Sequence, residues 1–396
     1  MFLSLPGIDT GFLPHQETHL NHFDGCLSKL STFRIFDPKG VSMSELSFSL
    51  PQLGWSHFFQ QQLSLEEWEA TSPVRVLAIN RNRIEVAGES GQQQLTIPGS
   101  WYLRNAEELP TVGDWLLLDS ATSQPQKLLE RKSLFRRKAA GNEAKLQLMA
   151  ANVDTLFIVT SCNRDFNLSR LERFMALALD AKVEPVLVLT KVDLVDGWLE
   201  YQRRAMSLNP DITVEMVNAL DADSVAPLLA WCGHGQTVAM AGSSGVGKST
   251  LLNSFCGRPE QATGTIREDD ARGRHTTTSR SVHFLSEGGL LIDSPGIREL
   301  QLSDCEAGVS SLFGDIETLA QSCRFKDCRH LSEADCAVTA AVNWGDLSPR
   351  RLENYQKLMA EQDRNNETIA EKRRRERNFS KLCRSVQAVR RKGHDC

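Results

Sequence analysis

The segment TVAMAGSSGVGKST, residues 237–250, decides the fold class. Its first five residues, 237–241, form a short, mostly apolar run that ends at a glycine, as a buried strand does. Gly242 is followed by four residues and then by Gly-Lys-Ser at 247–249, which is the spacing of a phosphate-binding loop that opens a helix. The segment therefore predicts an α/β domain that binds a nucleoside triphosphate.

Each residue type in this loop has a chemical role. Glycines let the backbone bend around an anion and turn its N–H groups inward. The Lys248 ammonium can reach the β- and γ-phosphates, and the Ser249 hydroxyl can ligate Mg²⁺. The alternative is a glycine-rich turn that binds nothing. The predicted nucleotide-binding residues of the loop are Gly242, Ser243, Ser244, Gly245, Val246, Gly247, Lys248, Ser249 and Thr250.

The composition limits the class of protein. With 396 residues, the chain is long enough for two or three domains. Its 45 Lys and Arg against 50 Asp and Glu give a net charge of -5, so any nucleic-acid-binding surface has to be local. No apolar run has membrane-spanning length, and the N-terminus has no secretory pattern. The 10 cysteines show no disulfide pattern, so we expect a cytoplasmic location. We also expect a monomer without a membrane partner.

The N-terminal third changes character near residue 43. Residues 1–42 have no clear period and predict a disordered extension, or an artefact of start-site choice with Met43 as the true start. Residues 43–137 predict a short helical lead-in and then a small β-barrel. An oligonucleotide-binding (OB) fold is one option for this barrel, and a β-domain with only a packing role is the other. The predicted strands lie near residues 74–79, 84–86, 95–97 and 115–118.

A basic segment, residues 131–147, follows the barrel and is predicted to be a linker, with charges that are either solvated or in contact with RNA phosphates. From residue 148 to 300, apolar strand-like runs alternate with helical spacing. This alternation predicts an α/β domain with a mostly parallel sheet and a helix over 168–181. The predicted strands are 155–160, 185–190, 213–217, 237–241, 282–285 and 290–292.

The tetrapeptide Thr190-Lys191-Val192-Asp193 ends one of these strands, where ligands bind in open α/β sheets. The Asp193 carboxylate can accept hydrogen bonds from N1–H and the 2-amino group of guanine. Adenine offers neither donor and would leave the carboxylate unpaired. The stem of Lys191 can cover a base face. Beside a phosphate loop these residues predict guanine binding, whereas alone they fit a surface turn equally well.

A second strand-end motif is Asp293-Ser294-Pro295-Gly296. Asp293 is predicted to hold the Mg²⁺ shell, and the Gly296 N–H is predicted to contact the γ-phosphate. An ordinary Ser-Pro turn is the alternative. Ras-like enzymes place a water-orienting glutamine after this glycine, but here the residue is Ile297, so the catalytic polar group has to come from elsewhere.

The polar segment 273–278, Gly-Arg-His-Thr-Thr-Thr, is typical of a switch loop. Thr276 is predicted to join Ser249 and Asp293 around Mg²⁺. His275 is predicted to be catalytic by positioning water, and Lys248 is the second predicted catalytic residue, at the phosphates. Contact of the His275 side chain with RNA or with solvent is the alternative.

A metal-binding pattern follows the α/β region. Cys323, Cys328, His330 and Cys336 supply three thiolates and one imidazole, which form a closed tetrahedral zinc set. A closed set indicates a structural ion rather than a catalytic one. The alternative is free cysteines beside a surface histidine.

The C-terminal region predicts a helix and a basic tail. Ser348 and Pro349 form a helix start, and an apolar face follows with Leu352, Tyr355, Leu358 and Met359. Residues 372–392 are rich in arginine and lysine. Such a run is either a solvated surface or, in an otherwise acidic chain, a tail that contacts RNA.

With these motifs in view, the chain resembles the RsgA (YjeQ) family of circularly permuted GTPases that assist assembly of the small ribosomal subunit. The order of the motifs carries the resemblance. The base motif 190–193 precedes the phosphate loop, the switch segment and the Asp293 motif, whereas Ras-like GTPases place the phosphate loop first. Asn218-Ala219 stands where the family has its second base-side loop. The zinc cluster and basic tail follow, and the match runs from about residue 45 to the end.

The resemblance implies an OB barrel within 43–137, a permuted GTPase domain over 138–305 and a zinc domain with a basic helical tail over 306–396. It also implies Mg²⁺-dependent hydrolysis of GTP to GDP and phosphate, stimulated by the small ribosomal subunit, with rRNA as a partner. The family presents the motif around His275 to nucleotide and ribosome. Thr190 replaces the family's usual asparagine, which predicts weaker guanine affinity while Asp193 keeps the selectivity.

Two other classes of protein stay open on the sequence alone. A P-loop ATPase or nucleotide kinase would share residues 242–249 but would have no use for Asp193. A non-catalytic RNA-binding scaffold would use the barrel, the zinc site and the tail, with an inactive nucleotide site.

Overall fold

The computed structural model describes residues 48–80, 83–138, 146–257, 280–294, 297 and 305–366. All of these residues belong to one structural unit, residues 35–396. The predictions for residues 1–42, for the switch segment 273–278 and for the basic tail 372–392 lie outside the described residues.

The N-terminal part begins with the predicted helical lead-in, which contains α1 (His57–Gln60) and α2 (Leu65–Ala70). Ser64 and Glu67 form a capping box that starts α2. The antiparallel strands that follow are β1 (Thr71–Asn80), β2 (Arg83–Gly88), β3 (Gly91–Thr96), β4 (Trp115–Asp119) and β5 (Pro125–Leu128). Strand β1 pairs with both β2 and β4, and these strands share a small apolar core, so the predicted barrel-like arrangement is confirmed.

The predicted basic linker 131–147 is wrong in its described parts, because β6 (Leu134–Lys138) and β7 (Leu146–Ala151) form an antiparallel hairpin there. Among its described basic side chains, Arg131 and Arg136 have acidic protein partners. Arg131 donates to both carboxylate oxygens of the buried Asp114, at 2.7 and 2.8 Å. Arg136 pairs with Glu107 at 2.6 Å. Arg131 and Arg136, which suggested a solvated linker, therefore bind acidic residues of the barrel region and hold the start of the hairpin against it.

The central part is the predicted α/β layer. Its strands and helices are β8 (Thr155–Ser161), α3 (Leu168–Asp180), β9 (Glu184–Thr190), α4 (Trp198–Met206), β10 (Thr213–Val217), α5 (Ala222–Val225), β11 (Thr237–Ala241), α6 (Lys248–Cys256), β12 (Arg280–Phe284) and β13 (Leu290–Asp293). The strand order is β10-β9-β8-β11-β13, all parallel, with β12 antiparallel beside β13. The mostly parallel sheet is confirmed, and the predicted strand bounds are right to within two residues.

The barrel and the α/β sheet are joined edge to edge. Strand β12 also pairs with β1 through Ala78 opposite Ser281 and Ile79 opposite Arg280. The two parts therefore share one 11-stranded hydrogen-bonded sheet. Arg75, only 2% exposed, adds a second tie by donating to the Asn152 carbonyl at 3.0 Å. These bonds restrict rotation of the barrel against the nucleotide-binding layer.

Four helices complete the described chain: α7 (Glu306–Leu312), α8 (Gly314–Ala320), α9 (Ala337–Trp344) and α10 (Pro349–Asn366). Helix α7 crosses α3 so closely that a Cβ at Gly308 would lie 2.1 Å from the Ala176 carbonyl oxygen. Of the predicted apolar face of α10, Leu352, Tyr355 and Leu358 are buried, and Met359 is partly buried against the same core. Within the described ranges, every helix is too short or too polar to cross a bilayer.

Candidate functional site

The phosphate loop leaves β11 and enters α6 through three glycines with left-handed backbone angles. Gly242, Gly245 and Gly247 have φ values of 145°, 76° and 101°. A Cβ at Gly242 would lie 2.2 Å from the Val159 carbonyl oxygen, so no side chain fits there. The loop can adopt this shape because glycine alone tolerates both the angles and the close approach.

Lys248, the first residue of α6, folds back over this loop. Its side chain is buried, and the ammonium donates to the Gly242 carbonyl at 2.8 Å and to the Ser243 carbonyl. The positive charge is thereby held against the loop backbone at the N-terminus of a helix, which is where a phosphate binds.

The base motif lies directly against the phosphate loop. Thr190, at the end of β9, is fully buried, and its hydroxyl donates to the Val246 carbonyl at 2.6 Å, with the Thr160 carbonyl at 3.2 Å. Lys191 adopts a left-handed backbone conformation and donates from Nζ to the Gly245 carbonyl at 2.8 Å. Two segments predicted separately to bind nucleotide are therefore linked by hydrogen bonds.

These contacts indicate different roles for Thr190 and Asp193 within the base motif. The Thr190 hydroxyl has a single proton and uses it on the loop, so this side chain fixes the relative position of the two segments. Asp193 follows in the short turn Val192–Leu194 and is exposed, which leaves its carboxylate accessible to a base. The Asn218-Ala219 segment lies next to α6, the helix that follows the phosphate loop, because Ser254 on α6 donates to the Ala219 carbonyl at 3.0 Å.

The predicted magnesium ligands Ser249 and Asp293 occupy neighbouring positions in the topology. Ser249 is the second residue of α6, and Asp293 ends β13, which pairs in parallel with β11. The carboxyl ends of adjacent parallel strands meet at one edge of the sheet, so these two residues flank the loop. Gly296, His275 and Thr276 lie outside the described residues.

Ile297 is completely buried in the main apolar core. The side chain that follows the Asp293 motif therefore packs against protein and has no access to a water molecule. This placement agrees with the expectation that Ile297 does not orient water.

Sequence reasoning missed one contact at this site. Arg170, near the start of α3, donates from Nη1 to the Ser243 hydroxyl in the phosphate loop. No motif marks Arg170, because the contact joins positions 73 residues apart. Helix α3 thus begins beside the phosphate loop.

The predicted zinc ligands converge. The side-chain ligand atoms of Cys323, Cys328, His330 and Cys336 lie within 4.8 Å of one another. Cys323 Sγ is 3.8 Å from Cys336 Sγ and 3.7 Å from His330 Nδ1, and the latter two atoms are 3.4 Å apart. Zinc bonds of about 2.0–2.3 Å in a tetrahedron place their ligands roughly 3.5–3.8 Å apart, so the spacing of Cys323, His330 and Cys336 fits a zinc ion, with Cys328 close enough to be the fourth ligand.

The surroundings of Cys336 favour a thiolate. Burial would raise its pKa, but hydrogen bonds from the Thr339 hydroxyl and backbone N–H, the latter at 3.4 Å, and from His330 and Cys328 outweigh burial. They lower the pKa of Cys336 to about 6. Cys336 is also the N-cap of α9, where the helix dipole favours an anion. By contrast, burial and the neighbouring cysteines raise the pKa of Cys328 to about 11. A bound dication would be needed to hold that thiol as a ligand.

Comparisons with known proteins agree with this geometry. A family model described as RsgA GTPase matches residues 128–303, a range that contains the base motif followed by the phosphate loop. A second model, described as ABC transporter, matches residues 230–380 and contains the phosphate loop without the base motif. Only the first match therefore includes the permuted order of the two motifs.

Curated relatives match along most of the chain. The protein named small ribosomal subunit biogenesis GTPase RsgA 2 from Vibrio parahaemolyticus is 54% identical over 343 residues, which are 87% of this chain and 94% of the relative. An RsgA from Mesorhizobium japonicum is 44% identical over 335 residues, 83% of this chain and 94% of the relative.

Solved structures give the same fold. YjeQ from Thermotoga maritima superposes with a TM-score of 0.56 at 26% identity, covering 74% of this chain and 98% of that one. YloQ, described as a circularly permuted GTPase, superposes with a TM-score of 0.51 at 22% identity, covering 75% of this chain and 96% of that one. The second match supports the permuted fold alone.

Proposed function

This chain belongs to the RsgA family of small ribosomal subunit biogenesis GTPases, and on that premise we propose the roles of its residues in GTP binding and hydrolysis. The reaction is the hydrolysis of GTP to GDP and phosphate. A single observation carries the assignment of the site: the base motif is hydrogen-bonded to the phosphate loop through Thr190 to Val246 and Lys191 to Gly245. One nucleotide can therefore contact both segments.

We infer that Asp193 selects guanine, because its exposed carboxylate can accept hydrogen bonds from N1–H and the 2-amino group. Thr190 holds the base motif against the phosphate loop, and the stem of Lys191 covers the base. An ATPase would have no use for a carboxylate at this position.

The phosphates belong in the loop Gly242–Thr250. Its backbone N–H groups bind the phosphate oxygens, and Lys248 turns its ammonium from the loop carbonyls to the β- and γ-phosphates. Ser249, Asp293 and Thr276 are the proposed holders of Mg²⁺, which would neutralise the charge that develops on the phosphates. In hydrolysis, water adds to the γ-phosphorus as the bond to the β-phosphate oxygen breaks.

The reaction also needs a polar group that orients the attacking water. Ile297 is buried in the core and carries no polar atom, so another side chain has to place the water. We propose His275 for this role, because it lies in the predicted switch segment. A His275→Ala variant should lose turnover while its affinity for GTP changes little. Equal loss of affinity and turnover would assign His275 to nucleotide binding instead.

We propose that the partner is the small ribosomal subunit, contacted by the barrel, the zinc region and the basic residues 372–392. The working division is 43–137 for the barrel, 138–305 for the GTPase domain and 306–396 for the zinc domain. Zinc would hold the loop 323–336 in shape, since four protein ligands close its coordination. A monomer in the cytoplasm fits this role.

The proposed function is tested by GTP turnover with and without purified small ribosomal subunits, with ATP as the control nucleotide. The expected result is slow, GTP-selective turnover that the subunits accelerate. Equal rates with and without subunits would overturn the proposed partner and leave GTP hydrolysis standing. Equal turnover of ATP and GTP would overturn the role of Asp193.

A further inference from the structure

Glu172 on α3 is a fully buried carboxylate outside the nucleotide site. Its two oxygens accept hydrogen bonds from Arg350 at 2.8 and 3.1 Å, from Asn354 at 2.6 Å and from Arg351 at 3.5 Å. All three donors are in the first turns of α10. These four residues, Glu172, Arg350, Arg351 and Asn354, are called the Glu172 clasp below.

Arg351 extends the clasp to the other helices around α10. It donates to the Leu312 carbonyl at the end of α7 at 2.9 Å, and it forms two bonds with Asp315 on α8, at 2.7 and 2.8 Å. It also donates to the Leu208 carbonyl, just after α4, at 3.0 Å. The start of α10 is thus fixed simultaneously to α3 and the end of α4 in the nucleotide-binding layer and to α7 and α8 beside it.

The other end of this arrangement is the phosphate loop. Arg170 lies on α3, two positions before Glu172, and it contacts Ser243 in the phosphate loop. Helix α7 is the first described helix after the Asp293 motif and lies against α3 at Gly308, with no room for a Cβ. The phosphate loop, α3, α7 and Arg351 are thus connected by direct contacts. Close-packed contacts of this kind transmit small displacements.

We propose that the Glu172 clasp couples the nucleotide state of the phosphate loop to the docking of α10, and so makes Glu172 a positioning residue for the C-terminal region. The inference rests on the proposed binding of GTP. A buried carboxylate is stable when paired and costly when unpaired, so the clasp has two discrete states, closed and open. Such an element can convert a sub-ångström shift at the nucleotide into docking or release of a helix.

The coupling has to act in both directions. If GTP and GDP favour different states of the clasp, then opening the clasp changes the ratio of GTP to GDP affinity by the same factor. A clasp with only a structural role would loosen α10 equally with either nucleotide and leave that affinity ratio unchanged. A coupling clasp and a purely structural clasp thus differ in whether its opening changes the ratio of GTP to GDP affinity.

The test is hydrogen exchange of the backbone amides of residues 350–366 in the full-length protein, with GDP and with a non-hydrolysable GTP analogue. Affinities for both nucleotides are measured on the same samples. Glu172→Gln removes the charge at nearly constant volume. Arg350→Gln, a half-buried partner, opens the clasp from the other side if the first variant folds poorly. Glu353→Gln is the matched control, because Glu353 is on the exposed face of α10 and pairs only with Lys357 within that helix among the described residues.

In the wild-type protein and in Glu353→Gln, exchange should differ between the two nucleotides by about 5-fold or more, the lower range of allosteric coupling. In Glu172→Gln and Arg350→Gln this difference should vanish, and the affinity ratio should shift by the same factor. Persistence of the difference in both clasp variants would overturn the coupling. Wild-type protein that binds both nucleotides with identical exchange would also overturn it and leave the proposed function intact, whereas protein that binds neither would overturn both.

Discussion

Replacing Thr190 by valine removes one hydroxyl at nearly constant volume and tests how the base motif is held. The hydroxyl is fully buried and donates to the Val246 carbonyl at 2.6 Å. Its second neighbour, the Thr160 carbonyl at 3.2 Å, shares the same proton. The substitution therefore removes one hydrogen bond, and it leaves the Val246 carbonyl in the phosphate loop without its side-chain donor.

Leaving a buried acceptor unsatisfied costs about 1–3 kcal/mol. If the whole cost falls on the geometry that binds nucleotide, affinity drops by roughly 5- to 150-fold. The drop should be equal for GDP and for inosine diphosphate, which lacks the 2-amino group, because Thr190 contacts the loop and not the base. Asp193→Ala should do the opposite and reduce the preference for GDP over inosine diphosphate.

Isothermal titration calorimetry with both nucleotides measures these affinities, and thermal unfolding of the nucleotide-free protein reports any general loss of stability. Thr190→Ser keeps the hydroxyl and is the matched control, so it should retain affinity close to that of the wild type. A Thr190→Val protein with a changed GDP preference and unchanged overall affinity would refute the reasoning, since it would place the hydroxyl on the base.

Four further outcomes follow from the structure. Lys248→Ala should reduce GTP turnover by roughly 100-fold or more, measured as phosphate release, because it removes the charge at the phosphates. Ile297→Gln should not raise turnover, and it should destabilise the fold by roughly 1–3 kcal/mol in denaturant titrations, because its amide would be buried without partners. Elemental analysis should find about one zinc per chain, and Cys336→Ser should lower both zinc content and thermal stability. Asp114→Ala should cost about 3–5 kcal/mol in unfolding free energy, because the buried Asp114 carboxylate is the acidic partner of Arg131; a cost near zero would make the ion pair dispensable.

Short-range patterns in the sequence determined much of this protein. The strands and the first long helix of the α/β layer have regular apolar spacing, so their bounds could be predicted closely. The phosphate loop is a run of fixed spacing in which glycine is required by backbone geometry. The zinc ligands lie within fourteen positions, and their residue types already define a closed coordination set. Even the permuted order of motifs could be read along the chain.

Two polar side chains bind partners that the sequence did not reveal, because each partner is distant along the chain. The basic segment after the barrel suggested a linker, but Arg131 is bound to Asp114, seventeen positions earlier, and a hairpin follows it. Thr190 looked like a weakened base ligand, and its neighbour in space turned out to be the Val246 carbonyl. In both cases the residue type was visible while its partner was not.

Only the tertiary structure decided how the parts are joined. The pairing of β1 with β12 merges the barrel and the α/β layer into one sheet, and Glu172 binds Arg350 from a position 178 residues away. Local spacing determines periodic elements and compact ligand sets because those depend on neighbours along the chain. The partner of a sheet edge or of a buried charge depends instead on which surfaces packing brings together.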